Sequence, residues 1–184
     1  NLPLLASALY SQYYNSFSNH PIGRLKEVHN GMLSAFRIDS ISNSTIENID
    51  SLSWVYGVTI DSLNKVLVAS TVPSIISQLK SDINFYCQLK TILKNNGKIL
   101  MREIDSLASI KLDESKVINE SISTNEEILN NDKVINNVMN DYLKRNENDF
   151  TESEKQSVLF IANLCPFESG EAVYKARSLA VKFD

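Results

Sequence analysis

PSIISQLKSDINFYCQLKTILKNNGKILMREIDSLASI, residues 73–110, decides how the rest of the chain is read. Ile76, Leu79, Ile83, Tyr86, Lys90, Leu93, Gly97, Leu100, Ile104 and Leu107 follow one another at alternating spacings of 3 and 4. That is the a/d period of a helix presenting a seam to a partner, and it predicts one long helix from Pro73 to Ile110. Asn95-Asn96-Gly97 offers an alternative, a helix end followed by a hairpin, because Asn and Gly readily take the left-handed conformation. The register passes Gly97 unshifted, whereas a hairpin would restart it at an arbitrary phase. Continuity is therefore favoured.

Helical spacing extends to both sides. Leu4, Leu5, Ala8, Leu9 and Tyr13 form an opening helix with Pro3 near its first turn, ending before His20-Pro21. Leu25, Val28, Met32 and Phe36 continue the pattern from Ile22, with Gly31 as a weak point inside it. Ser42 to Thr45 suit a loop and an N-cap before Ile46, Ile49, Leu52 and Val55; Gly57 offers a stop, and Thr59 a new cap before Leu63, Val66 and Leu67. Lys111 to Thr124 is polar and mixed, and reads as a connection. Ile128, Val134, Ile135, Val138, Met139, Tyr142 and Leu143 resume the period, and Thr151 with Glu154 forms a capping box at the next helix. Val158, Leu159, Ile161 and Ala162, then Ala172, Val173, Ala176 and Leu179, mark the last two helices.

With 5 Gly and 4 Pro in 184 residues, punctuation is too sparse for the many turns of a sandwich or barrel. The fold class expected is all-α: an elongated multi-helix domain over 1–184 with one long central helix and a C-terminal helix-corner-helix. A net charge of −4 and a pI near 5.3 argue against nucleic-acid binding, since phosphate neutralisation needs a basic face and no Lys/Arg cluster appears. No apolar run approaches the roughly 20 residues of a membrane span. The opening segment also lacks the basic n-region and compact apolar core of a signal peptide. A start at Asn1 rather than Met suggests a processed protein or an excised fragment.

The corner near the end carries the most information. Pro166 cannot continue a helix, because its ring clashes with the preceding turn and it has no N–H. Gly170 permits the backbone angles needed to enter the next helix, and Glu168 and Glu171 lie where a helix N-terminus favours carboxylates. Ile161, Ala162, Asn163, Cys165, Pro166, Gly170, Ala172, Val173, Tyr174, Ala176 and Arg177 form the pattern Ile-Ala-Asn-x-Cys-Pro-x-x-x-Gly-x-Ala-Val-Tyr-x-Ala-Arg.

This pattern resembles a helical region that lies shortly upstream of the C-terminal sorting domain in large surface and secreted proteins of the type IX secretion system. The helix VINNVMNDYLKRN ahead of it is similar to the one preceding the motif in such proteins, so the motif-bearing part spans 133–184, roughly the last quarter of the chain. The resemblance implies export to the cell surface or medium, with the type IX machinery or other surface proteins as partners. No sorting domain follows Asp184, which implies that it was removed or that the chain is a piece of something larger. Bacteria with this system carry O-glycans on Asp-Ser or Asp-Thr before an apolar residue. Ser40, Ser51, Ser62 and Ser106 each stand in such a triplet, although Asp, Ser, Ile and Leu also recur there by chance.

In an exported chain, Cys87 and Cys165 are candidate disulfide partners. The alternative is two separate thiols, one buried and one pairing beyond Asp184. Their isolation, with no Cys/His spacing around them, argues against a zinc site. His20 and His29 read as a surface and a packing histidine; a pocket gathering either with carboxylates would point to a hydrolase. Glu126 with Glu127, and Glu152 with Glu154, suit helix starts electrostatically. Arg177 is expected to meet a carboxylate or a helix C-terminus rather than a substrate. Tyr10, Tyr13, Tyr14 and Phe17 form an aromatic stripe read as core or interface.

No phosphate loop, nucleophile elbow or metalloprotease motif is present. The expected function is a non-catalytic structural or spacer module beside a sorting domain, with no cofactor, metal or catalytic residue. The alternative is a protein- or glycan-binding adhesin module using Tyr13, Tyr14 and Trp54.

Overall fold

The computed structural model describes residues 2–145 and 149–183, and side chains from residue 10 onward. Among the described residues there are eight helices and no strand: α1 (Leu2–Asn19), α2 (Pro21–Ala35), α3 (Ser40–Ala69), α4 (Pro73–Ser121), α5 (Glu127–Lys144), α6 (Glu152–Ala162), α7 (Pro166–Ser169) and α8 (Ala172–Ala180). The protein is all-α. The opening face of Leu4, Leu5, Ala8 and Leu9 lies outside the described side chains.

The stretch 1–184, read as one helical domain, divides into two compact units: residues 37–106, and residues 1–36 together with 107–184. The first is a hairpin of α3 and the first part of α4. Tyr56 packs against Tyr86 with ring centroids 5.7 Å apart, and a Cβ on Gly97 would stand 3.6 Å from Ile49 Cγ2, so the two helices run antiparallel. On α3 the half-buried seam is Ser42, Ile46, Ile49, Ser53, Tyr56, Ile60, Leu63 and Leu67, a strict alternation of 4 and 3.

That seam explains why α3 does not stop at Gly57. An isolated helical glycine costs about 1 kcal/mol, less than interrupting a continuous packed face. Thr59, instead of capping a new helix, turns its hydroxyl back to the Val55 carbonyl at 2.9 Å. The N-cap is Asp39, ahead of the expected Ser42–Thr45: its Oδ1 accepts from the Ile41 and Ser42 amides at 2.9 Å. Hydrogen bonds from the Ser42 side chain and amide, against a small desolvation, hold the Asp39 carboxyl below the usual range.

Helix α4 passes unbroken through Asn95-Asn96-Gly97 and runs 49 residues. Two details of its seam differ from the periodic reading: Leu89 rather than Lys90 is half-buried, and Leu107 is exposed. The helix also overruns the expected end at Ile110 by 11 residues. The polar residues that read as a connection find partners on other helices. Asn119 Nδ2 donates to the Lys133 carbonyl at 2.8 Å and to Asn137 Oδ1 at 2.7 Å, and Lys116 pairs with Asp141 at 2.6 Å. Ser115 is buried where α2 presents Gly31; a Cβ on that glycine would fall 2.1 Å from Ser115 Oγ. The weak point in α2 is thus a place where another helix comes close.

The second unit holds the fully buried core in two neighbouring clusters. One joins Leu25, Val28 and Met32 of α2 to Leu112, Ile122 and Leu129. The other joins Ile135 and Val138 of α5 to Val158 and Ile161 of α6 and to Ala172, Val173, Ala176 and Leu179 of α8. Met139 packs against both. Burial of this apolar surface is the main term holding the unit together.

Candidate functional site

The motif-bearing corner is built from α6, α7 and α8. Thr151 starts α6: its hydroxyl accepts from the Glu154 amide at 3.3 Å, and Glu154 Oε2 accepts from the Thr151 amide at 2.8 Å, the capping box read from the sequence. Arg145 donates to both Glu154 carboxylate oxygens. Burial pushes the Glu154 carboxyl up, but the hydrogen bonds from Arg145 and Thr151 outweigh it and hold the group below its ordinary value.

At the other end, α6 closes through side chains. Asn163 Nδ2 donates to the Leu159 carbonyl at 2.9 Å, and Arg177 donates to the Ala162 carbonyl at 2.9 Å and the Leu164 carbonyl at 3.3 Å. Of the two partners anticipated for Arg177, the structure takes the helix C-terminus. Pro166 opens the short α7, whose first position needs no N–H. Gly170 then sits at φ 78°, ψ −161°, with Ile128 Cγ2 only 2.6 Å from where a Cβ would stand. Ile161, Ala172, Val173 and Ala176 are buried, whereas Cys165 and Tyr174 are exposed.

The remaining candidates are dispersed. Cys87, on α4, and Cys165, the N-cap residue of α7, are free, exposed thiols on different units, and no disulfide joins them. Ser40 stands at the start of α3, Ser51 and Ser62 lie within it, and Ser106 lies in α4; all four are exposed. The Ser62 hydroxyl donates to the Val58 carbonyl. Tyr10, Tyr13 and Tyr14 are exposed, which overturns the core reading of that stripe: α1 leans on α2 and leaves these rings facing outward. Trp54, on α3, is 70% exposed.

His20 caps α2, its Nδ1 accepting from the Ile22 amide at 3.3 Å. His29 does share a pocket of about 310 Å³ with Asp132 and Glu171. Both carboxylates there are engaged by Lys175, at 3.1 and 3.8 Å, and the buried Nδ1 of His29 has no hydrogen-bond partner among the described residues. No Ser, Thr or Cys side chain lines it. Among the described residues no group of three or more His, Cys, Asp or Glu side chains is placed to hold a metal, and no helix is long and apolar enough to cross a membrane.

One group was not visible as a cluster in the linear sequence. Lys90, Lys94, Lys98 and Arg102 follow the i+4 ridge of α4 and line a groove of about 710 Å³ together with residues of α3. The signal was their constant spacing of four, which a search for contiguous basic residues passes over. Comparison of the chain with protein-family models, with curated proteins and with solved structures finds no match to any of them.

Proposed function

We propose that the chain is a non-catalytic structural or spacer module of a surface or secreted protein exported by the type IX system, placed next to a C-terminal sorting domain. The observation that supports this reading is the use made of the motif. Ile161, Ala172, Val173 and Ala176 pack the core, Gly170 supplies the turn, Pro166 opens α7, and Asn163 and Arg177 close α6. A pattern whose members hold a backbone corner, rather than converge on a cavity, suits an architectural role. Packed helices also carry their backbone hydrogen bonds internally and gain length from helix rise.

The test is expression of the parent protein in a host with and without a working type IX machinery. Surface accessibility is read by protease shaving, and the mass of the 1–184 region is measured intact. Accessibility that depends on the machinery, with added mass on Ser40, Ser51, Ser62 or Ser106, is the expected result. An unmodified protein retained inside the cell in both hosts overturns the reading.

The second reading is an adhesin module that binds protein or glycan. It is favoured by exposed aromatic rings on each unit: Tyr13 (72%) and Tyr14 (57%) on α1, and Trp54 (70%) on α3. Alanine at all three positions separates the two. Loss of cell or glycan binding at unchanged stability supports the adhesin, and unchanged binding supports the spacer.

A further inference from the structure

Residues 37–106 contain no fully buried side chain. The seam between α3 and α4 is only half-covered: Ile46 and Ile49 are half-buried and Met101 is 44% exposed. Two helices alone cannot enclose a core; a further helix laid along the hairpin would complete one.

The groove that could receive it is lined by Ile46, Ile49 and Met101, by Gly97 where the absence of a side chain deepens it, and by the ridge Lys90, Lys94, Lys98 and Arg102. None of these four cations forms an ion pair or a side-chain hydrogen bond within the described residues, and no ion pair is formed anywhere in 37–106. Four unpaired cations beside an apolar surface point to an anionic, partly apolar ligand.

We propose that this groove docks an acidic amphipathic helix of a partner protein. Residues four apart on a helix rise by about 6 Å, so the basic ridge spans about 18 Å. Carboxylates at i, i+4, i+8 and i+12 of a partner helix have the same rise and can meet the cations one by one. Apolar residues on the adjoining ridge then face Ile46, Ile49 and Met101, the helix-in-groove mode of recognition.

Charge complementarity also selects against a uniform polyanion. The hairpin carries seven basic and seven acidic residues between 37 and 106, and Asp50 and Asp105 line the same groove. A nucleic-acid backbone or an anionic membrane would press negative charge against both aspartates; a helix can place neutral or basic side chains there. This inference is independent of the export reading.

The test uses the full chain and a labelled peptide of about 20 residues, long enough to hold a helix. The peptide carries Glu along one i+4 ridge and Leu along the next, and binding is followed by fluorescence anisotropy at two salt concentrations. Saturable, salt-sensitive binding is expected. The double variant Lys94→Glu/Lys98→Glu, with an unchanged circular dichroism spectrum, weakens it about tenfold or more. A peptide in which the two facing Glu are Lys regains affinity for that variant only.

Three outcomes overturn the proposal: no saturable binding, equal binding of a scrambled peptide of the same composition, or undiminished binding by the charge-reversed variant. Binding of the chain to anionic phospholipid vesicles that is lost in the same variant, without peptide binding, reassigns the ridge to a membrane surface.

Discussion

Arg177 Nε donates to the Ala162 carbonyl oxygen at 2.9 Å, so a side chain of α8 closes the end of α6. A second nitrogen reaches the Leu164 carbonyl at 3.3 Å, so the guanidinium answers the carbonyl of the last residue of α6 and one in the corner just beyond it. The positive charge also lies where the helix dipole favours it. Arg177→Ala should lower stability by about 1 kcal/mol, because the site is exposed and water replaces part of what is lost. Arg177→Lys should lie between, since an ammonium keeps the charge but cannot bridge both carbonyls with a planar fork. Urea unfolding of the three proteins measures this, and indistinguishable midpoints would remove the cap from the account of the corner.

Gly170 combines two constraints that can be separated. Its φ of 78° and ψ of −161° lie in a region open essentially to glycine, at a cost of about 1–3 kcal/mol for another residue. A Cβ would also meet Ile128 Cγ2 at 2.6 Å. Gly170→Ala should therefore cost about 2 kcal/mol or more. In an Ile128→Ala background the steric part disappears and the backbone part stays, so the double variant should lose less stability than the two single variants summed. A fully additive cycle would mean that Ile128 swings clear and only the backbone angle matters.

Glu154 makes the unit sensitive to acid. Its folded-state carboxyl lies below the ordinary value, so the folded state binds its proton less readily than the unfolded chain does. The stabilisation is present in full above the unfolded value of about 4.3 and is lost as pH falls through the lower folded value. Glu154→Gln should cost about 1–3 kcal/mol at pH 7, through the weakened Arg145 contact and capping box. The difference from wild type should shrink below pH 4. Thermal melts between pH 3 and 7 read it directly, and a gap constant across that range would place the effect in packing rather than ionisation.

The capping box at Thr151 and the corner at Pro166 and Gly170 were legible because each is a local device, complete within a few residues. The continuity of α4 past Gly97 was legible because its register counts across many turns. Gly57 is a weak local breaker, and what overrides it is the α3 seam, whose partner lies on another helix. The helical state of 111–121 is hidden for the same reason: Ser115, Lys116 and Asn119 are loop-like residues by type, and α2 and α5 supply their contacts. The basic ridge was hidden by the 3-residue gaps between its members. The pairing of Cys87 and Cys165 depended on how two distant segments fold, which helical periodicity does not encode.

Buried amides in α5 supply the last prediction. Asn140 is 2% exposed, and neither its Oδ1 nor its Nδ2 has a hydrogen-bond partner among the described residues. An amide buried without partners costs about 1–3 kcal/mol, and an apolar residue of similar size in the same space has no such penalty. Asn140→Leu should therefore stabilise the protein, by an amount visible as a rise of several degrees in Tm. Asn119, whose Nδ2 makes two bonds within 2.8 Å although its Oδ1 has no partner among the described residues, provides the contrast: Asn119→Leu should destabilise, by removing one donor from the Lys133 carbonyl and the donor that Asn137 Oδ1 accepts from. Opposite signs for two buried asparagines would show that partner count, not burial, sets the sign. A loss of stability at both positions would mean that Asn140 holds polar partners of its own, such as a bridging water, and that the α5 interior is wetter than the packing implies.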